Sequence, residues 1–341
     1  MKHCLIGLLC AATSFLQAKT RDPLTLSERT NGAQTLAAVE ALARQIRDTV
    51  AVVVDSKNHL VASATWVGGE GYFLTKASDV PQLQECRIKW ALGQSASVRE
   101  IHRSAKHDLV LAQAVGVTGV HAVTFSTKSV PTSYGQWLAA PVKGGTDLRI
   151  GVVSAQRRVI KGAGAAIGVR MDESPLAGKG VRIVGVAEDS PAEKAGLRKD
   201  DVLLMIGDQV VASYNRVTEI IRDRMPGEQI EVQYRRDGQE AKAQVRLASR
   251  SKILQNWDGE DFANGGISIR TDNFAQVIQH DVPLSAQDMG SPLIDLNGNA
   301  LGINIARVDR ITTFALPADV FWDEFRQYLE NDRYPPKAQK P

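Results

Sequence analysis

Two histidines in this sequence stand beside aspartates, His107-Asp108 and His280-Asp281. Either pair has the parts of a general base with its orienting carboxylate, and either equally suits a hydrogen-bonded surface or hinge histidine. His102 and His107 with Asp108 supply nitrogen and oxygen donors, but no His-Glu-x-x-His spacing and no paired cysteines accompany them. No metal site is expected, and no cofactor. Cys86, in the alternating run Glu85-Cys86-Arg87-Ile88-Lys89-Trp90, reads as a small buried hydrophobe rather than a reactive thiol.

The chain that must position such groups has 341 residues. That suggests two folded units at about 150 residues each, with ample core and no need of disulfides. Lys+Arg number 41 against 38 Asp+Glu, a balance of +3 that argues against nucleic acid or an anionic membrane as the main partner. With 43% hydrophobic and 23% charged residues, the composition excludes a disordered chain, a collagen and a multi-span membrane protein.

Met1-Lys2-His3 and the uncharged run Cys4 to Leu16, ending at Leu16-Gln17-Ala18, read as a secretory signal over residues 1–18. The run is shorter than the ~18 residues a membrane span requires. Leu9 is too large for a lipoprotein signal at Cys10. Removal of the segment leaves Cys86 as the only thiol, which fits a periplasmic or secreted protein without disulfides and without a membrane span.

Residues 33–49, with Leu36, Val39, Leu42 and Ile46, have helical spacing and predict one leading amphipathic helix within a segment 19–49. Short β-rich runs follow: Val50 to Val54, Leu60 to Val67, Tyr72 to Thr75, Cys86 to Trp90, Leu109 to Ala114 and Trp137 to Ala140. They predict a barrel or sandwich over 50–160. Residues 161–250 mix strands with two helices, Pro191 to Ala195 and about Tyr214 to Arg224, and Asp237-Gly238 marks a hairpin. Strands resume over 251–330 at Gly266 to Arg270, Phe274 to Gln279, Ser291 to Asp295, Ala300 to Ile305 and Ile311 to Leu316. A helix from Ala318 to Tyr328 comes next, and the tail 331–341 reads as disordered.

The middle unit carries a resemblance. Ala166-Ile167-Gly168-Val169, Ser190-Pro191-Ala192-Glu193-Lys194-Ala195-Gly196-Leu197, Asp201-Val202-Leu203-Leu204 and Met225-Pro226-Gly227 resemble the PDZ domains attached to HtrA proteases. Asp200 stands where that family has glycine. The resemblance implies peptide capture: amides of Ile167, Gly168 and Val169 would hold a terminal carboxylate, and Val217 and Ile221 would line an apolar pocket with Ile167. The same apolar residues could equally be core.

The flanking segments resemble trypsin-like serine proteases of the HtrA type, through Gly71-Tyr72-Phe73-Leu74-Thr75, His107-Asp108-Leu109-Val110-Leu111, Ile150-Gly151-Val152-Val153-Ser154-Ala155 and Pro292-Leu293-Ile294-Asp295-Leu296-Asn297-Gly298. The fold implied is mainly β, a trypsin-like double β-barrel with an inserted α+β PDZ domain. The catalytic residues do not carry over. Ser78 stands at the histidine position, and Gln287-Asp288-Met289-Gly290-Ser291 puts Met289 at the nucleophile, leaving only Asp108 of the triad. A thioether has no proton to lose, and an alcohol is no general base. Gln287 also replaces the glycine of the oxyanion turn. Ser291, about 6.6 Å further along extended chain, is too distant to substitute.

The expectation is an exported, non-proteolytic HtrA-like protein that binds peptide tails or unfolded segments of envelope proteins. Two alternatives stand beside it: an endopeptidase with a rearranged site, and a chaperone-like holdase. The resemblance also allows a homo-oligomer, which no residue here establishes.

Overall fold

The structure is a computed structural model that describes residues 25, 27, 32–125, 132–172, 180–222, 224–250, 253 and 266–335. The expected signal at 1–18 and the last residues of the tail lie outside that set.

The leading segment is two helices, not the single one expected. α1 (Ala33–Ala38) buries nothing, and the chain leaves helical geometry at Val39 (φ −105°, ψ 11°) before α2 (Glu40–Ile46). Only α2 has a surface to pack on. Its Leu42 and Ile46 close over Ala139 and Ile294, whereas the alanine-rich α1 offers little apolar area to anchor a continuous helix.

Six strands then close a barrel: β1 (Val50–Val54), β2 (Leu60–Gly68), β3 (Tyr72–Lys76), β4 (Arg87–Trp90), β5 (Gln94–Ser104) and β6 (Leu109–Ala114). Their order around the ring is β1-β2-β3-β6-β5-β4. Trp66, Phe73, Leu83 and Ile88 fill it, with Trp66 edge-on to Phe73 at 5.8 Å between centroids.

A second barrel opens with β7 (Trp137–Val142) and the long β8 (Asp147–Ile160). Before it continues, the chain builds another unit: β9 (Ala165–Ala166), β10 (Val169–Met171), β11 (Val181–Val186), α3 (Pro191–Lys194), β12 (Val202–Ile206), β13 (Gln209–Val210), α4 (Tyr214–Arg222), β14 (Gln229–Arg236), β15 (Gln239–Arg246) and β16 (Ala248–Ser249). It then returns as β17 (Phe274–His280), β18 (Pro292–Asp295), β19 (Ala300–Arg307) and β20 (Thr313–Pro317). The second ring runs β7-β8-β17-β20-β19-β18. Numbered within its own barrel, that is the same order as the first. The molecule is therefore a mainly β, trypsin-like double barrel with an α+β unit set between the second and third strands of the second barrel.

Local chemistry fixes the inserted unit. Ser190 caps α3 by accepting from the Glu193 N–H, with proline at the first helical position. Asp237 and Gly238, both at positive φ, turn β14 into an unbroken antiparallel pairing with β15. Asp200 takes a left-handed conformation (φ 73°), so it serves where a glycine was anticipated.

One expected strand is not formed. Gly266 to Arg270 alternates like a strand but joins no ladder, because Arg270 is buried and the chain bends around it. Its guanidinium donates to the carbonyls of Ala105, Lys106, Asp272 and Asn273.

The last helix, α5 (Ala318–Arg333), extends beyond the expected Tyr328. Its buried face, Ala318, Phe321, Phe325 and Leu329, packs between Leu109 and Leu111 of the first barrel and Ile305 and Phe314 of the second. Polar ties reinforce it: Arg99 pairs with Asp332 at 2.7 Å, and Arg157 with Asp319 at 2.9 Å. No described helix is long and apolar enough to cross a membrane.

Candidate functional site

The cleft where the resemblance expects a catalytic centre is built from the end of β3 and the start of β6. Ser78 sits on a single turn after β3, 5% exposed. Its N–H donates to Asp108 Oδ1 (2.7 Å) and its hydroxyl to Oδ2 (2.9 Å). Lys76, completely buried, holds its ammonium 3.4 Å from Asp79 and 4.0 Å from Asp108. Burial pushes the Asp108 carboxyl above the usual range, against the pull of Lys76 and Arg270. The carboxylate that would orient an imidazole instead fastens a serine and faces a buried lysine.

Met289 does not line the space beside Ser78. It is fully buried in the second barrel's core with Leu138, Val153, Ile278 and Leu293. Its carbonyl accepts from Ser63 N–H (3.0 Å), and Thr65 Oγ1 donates to the Gly290 carbonyl (2.7 Å), which clamps the turn onto β2. Four consecutive amides of this turn end on carbonyls: Asp288 on Ser285, Met289 on Ala286, Gly290 on Asn304 and Ser291 on Asp288. None of these four is left to face an oxyanion; the Gln287 N–H is not among them.

The other candidate groups are also engaged elsewhere. His107 Nε2 lies 3.1 Å from Glu324, and His102 Nε2 lies 3.0 Å from the same carboxylate while stacking on Tyr328. Burial holds His107 below its usual range despite Glu324. His280 is fully buried, 2.9 Å from Asn304 Oδ1, and burial brings it down to about 4. Asn304 Nδ2 in turn donates to Ser291 Oγ at 3.0 Å. Ser291 is wholly inaccessible, so this His280–Asn304–Ser291 chain is core structure. Asp281 accepts from the Val152 N–H. Cys86 is half-buried rather than buried, because its strand begins only at Arg87; burial still pushes its thiol up. No group of three metal-ligating side chains occurs among the described residues.

The inserted unit reaches the cleft. The loop Met225 to Glu228, just past α4, lies over Ser78 and encloses with it a cavity of about 370 Å³ lined also by Arg103, Asp108 and Arg270. Met289 does not line that cavity. Nothing in the sequence signalled this covering, because the two stretches lie far apart along the chain.

A second concavity runs along the inserted unit between β10 and α4. Ile167, Gly168, Val169, Val217 and Ile221 all line it, joined by Tyr214, Thr218, Arg222, Arg250 and Ile253. Ile167, Val217 and Ile221 also belong to the unit's core. The two roles are compatible, since their outer surfaces form the groove floor. Gly168 has φ 82°, and a Cβ there would meet Ser190 Cβ at 2.4 Å. Neither the Ile167 nor the Gly168 N–H donates to another described residue.

A PDZ domain family model matches residues 165–247. A probable periplasmic serine endoprotease, DegP-like, of Rickettsia prowazekii is 24% identical over 106 residues, 31% of this chain and 21% of that protein. The zinc metalloprotease RasP of Oceanobacillus iheyensis is 37% identical over 54 residues, 16% of this chain and 12% of that protein. The chain thus matches 21% and 12% of the length of these two relatives. Among solved structures, the HtrA-type protease AlgW with a tripeptide aligns over 62% of this chain and 97% of its own, at 16% identity and a TM-score of 0.30. A serine endoprotease from Yersinia pestis aligns over the same 62% and 97% of its own chain, at 14% identity and a TM-score of 0.29.

Proposed function

We propose that this PDZ-containing, HtrA-like chain holds peptides and does not cut them. Its groove between β10 and α4 takes the carboxy-terminal end of a partner chain as an added strand, while the double barrel serves as a scaffold. The observation that carries the reading is a contrast in backbone amides. At the Met289 turn the four amides from Asp288 to Ser291 are all bonded internally, whereas at the groove the Ile167 and Gly168 amides are open. Open amides beside an apolar floor suit a carboxylate with an aliphatic side chain behind it.

An envelope location belongs to this reading. The uncharged run from Cys4 to Leu16 reads as an export signal, and the Rickettsia relative is described as periplasmic. The partners are then peptide tails of envelope proteins.

The test is retention of a peptide pool with free carboxy termini on the immobilised chain, set against the same pool amidated. Retention of the free pool alone, lost on Thr218→Trp, supports the reading; Thr218 is half-buried on the groove wall, so this change fills the groove without touching the core. Equal retention of both pools, untouched by Thr218→Trp, indicates a holdase surface elsewhere and contradicts it.

A further inference from the structure

We propose that the groove selects acidic peptide ends, taking chains whose last few residues carry carboxylates besides the terminal one. This rests on the reading that the groove holds peptides, and names which ones.

Two arginines line the groove, Arg222 at the end of α4 and Arg250 just past β16. Both are exposed, and neither guanidinium pairs with a described residue. Four other arginines of the same unit are matched: Arg216 with Glu219, Arg224 with Glu228, Arg235 with Glu240 and Arg236 with Asp201. Among the described residues no aspartate or glutamate lines the groove. Both arginines also meet Gly164, one through its backbone and the other through its stem. The Arg250 N–H donates to the Gly164 carbonyl at 2.9 Å, and the Arg222 stem packs so closely on Gly164 that a Cβ there would come within 2.7 Å of its Cγ.

Gly164 lies three residues before Ile167, and both arginines line the same groove as the open amides where a peptide terminus would be received. Amides, an uncompensated positive pair and an acid-free lining all favour negative charge at one end of the groove. Guanidinium groups grip carboxylates through paired N–H donors, which gives an acidic ligand geometry as well as attraction. At this level of exposure two such contacts amount to about a three- to thirtyfold preference, weakened by salt.

The test uses peptides randomised over their last four positions with free carboxy termini, captured on the immobilised full chain at about 50 mM salt and again at about 500 mM. The bound fraction is sequenced by mass spectrometry. Aspartate and glutamate should be enriched at least threefold over the input, and the enrichment should fall at high salt. It should vanish on a folded Arg222→Gln/Arg250→Gln variant that still retains the free-carboxylate pool over the amidated one. Retention with no acidic enrichment, or enrichment that persists on the variant, overturns the selectivity and leaves the peptide groove standing. No retention over the amidated pool overturns the groove reading, and the selectivity with it.

Discussion

Gly227, on the loop beyond α4, lies against Ser78 of the first barrel so closely that a Cβ on the glycine would stand 2.8 Å from the serine's Cβ. The residue at the position expected for a catalytic histidine is thus covered by the inserted domain itself. An imidazole needs more room than a hydroxymethyl group, so cover and substitution belong together. Arg246 of β15 reaches the same buried zone, where burial pulls its guanidinium below the usual range and the Asp79 and Asp108 charges offset that only in part.

That contact is measurable. Gly227 has φ 91°, whereas Gly238, at φ 82°, faces open space. Gly238→Ala reports the backbone cost alone, and Gly227→Ala should cost about 1–3 kcal/mol including the collision. In a Ser78→Gly background the excess should shrink by at least about 0.5 kcal/mol in denaturant unfolding. Strict additivity would place the loop away from Ser78.

Restoring side chains should not restore hydrolysis. The double variant Ser78→His/Met289→Ser regains an imidazole and a hydroxyl, but the hydroxyl enters a core position and the turn's amides stay bonded. Neither casein turnover nor a fluorophosphonate adduct should appear. Either one would show that the cleft reopens once its chemistry is supplied.

Asp108 should behave as a structural anchor. Asparagine tolerates its left-handed backbone (φ 56°) and can still accept from the Ser78 N–H, but it removes the counter-charge from buried Lys76, so Asp108→Asn should lose about 1–3 kcal/mol. Asp108→Ala strands both Ser78 donors and removes a counter-charge from buried Lys76, and should lose about 3–5 kcal/mol. Equal effects in unfolding experiments would mean that neither bond matters.

His280 predicts an acid-sensitive fold. Burial takes it down to about 4, whereas in the unfolded chain it titrates near 6.5. Between those values the unfolded state binds a proton that the folded state refuses. Its contribution is therefore full above pH 6.5 and lost as pH falls toward 4, up to about 3 kcal/mol. NMR should show the His280 ring neutral at pH 5, and a folded His280→Gln variant should lose that part of the slope. A ring that titrates near 6.5 contradicts the buried assignment.

What the sequence revealed follows the range of the forces involved. The Ser190–Glu193 cap and the Asp237-Gly238 turn act over a few residues, so the inserted domain was readable. So were β1 and β6, whose runs are almost wholly apolar. β5 was missed because Gln94, Arg99, Glu100 and His102 dilute its pattern where it faces solvent or the polar side of α5. Gly266 to Arg270 misled for the opposite reason, since alternation says nothing of a buried guanidinium that pulls the chain off its ladder. At the site, Ser78 and Met289 at the positions where the resemblance expects histidine and serine were visible as letters. The covering of Ser78 and the bonded amides of the Met289 turn were not, because both depend on segments that meet only in the folded molecule.

The most direct measurement is to incubate the randomised free-carboxylate pool with the protein overnight, separate bound from unbound peptides, and weigh both fractions by intact-mass spectrometry. The account predicts a bound fraction of full-length peptides and no shortened species in either fraction. Fragments absent from a protein-free control, or no bound peptides at all, would contradict it.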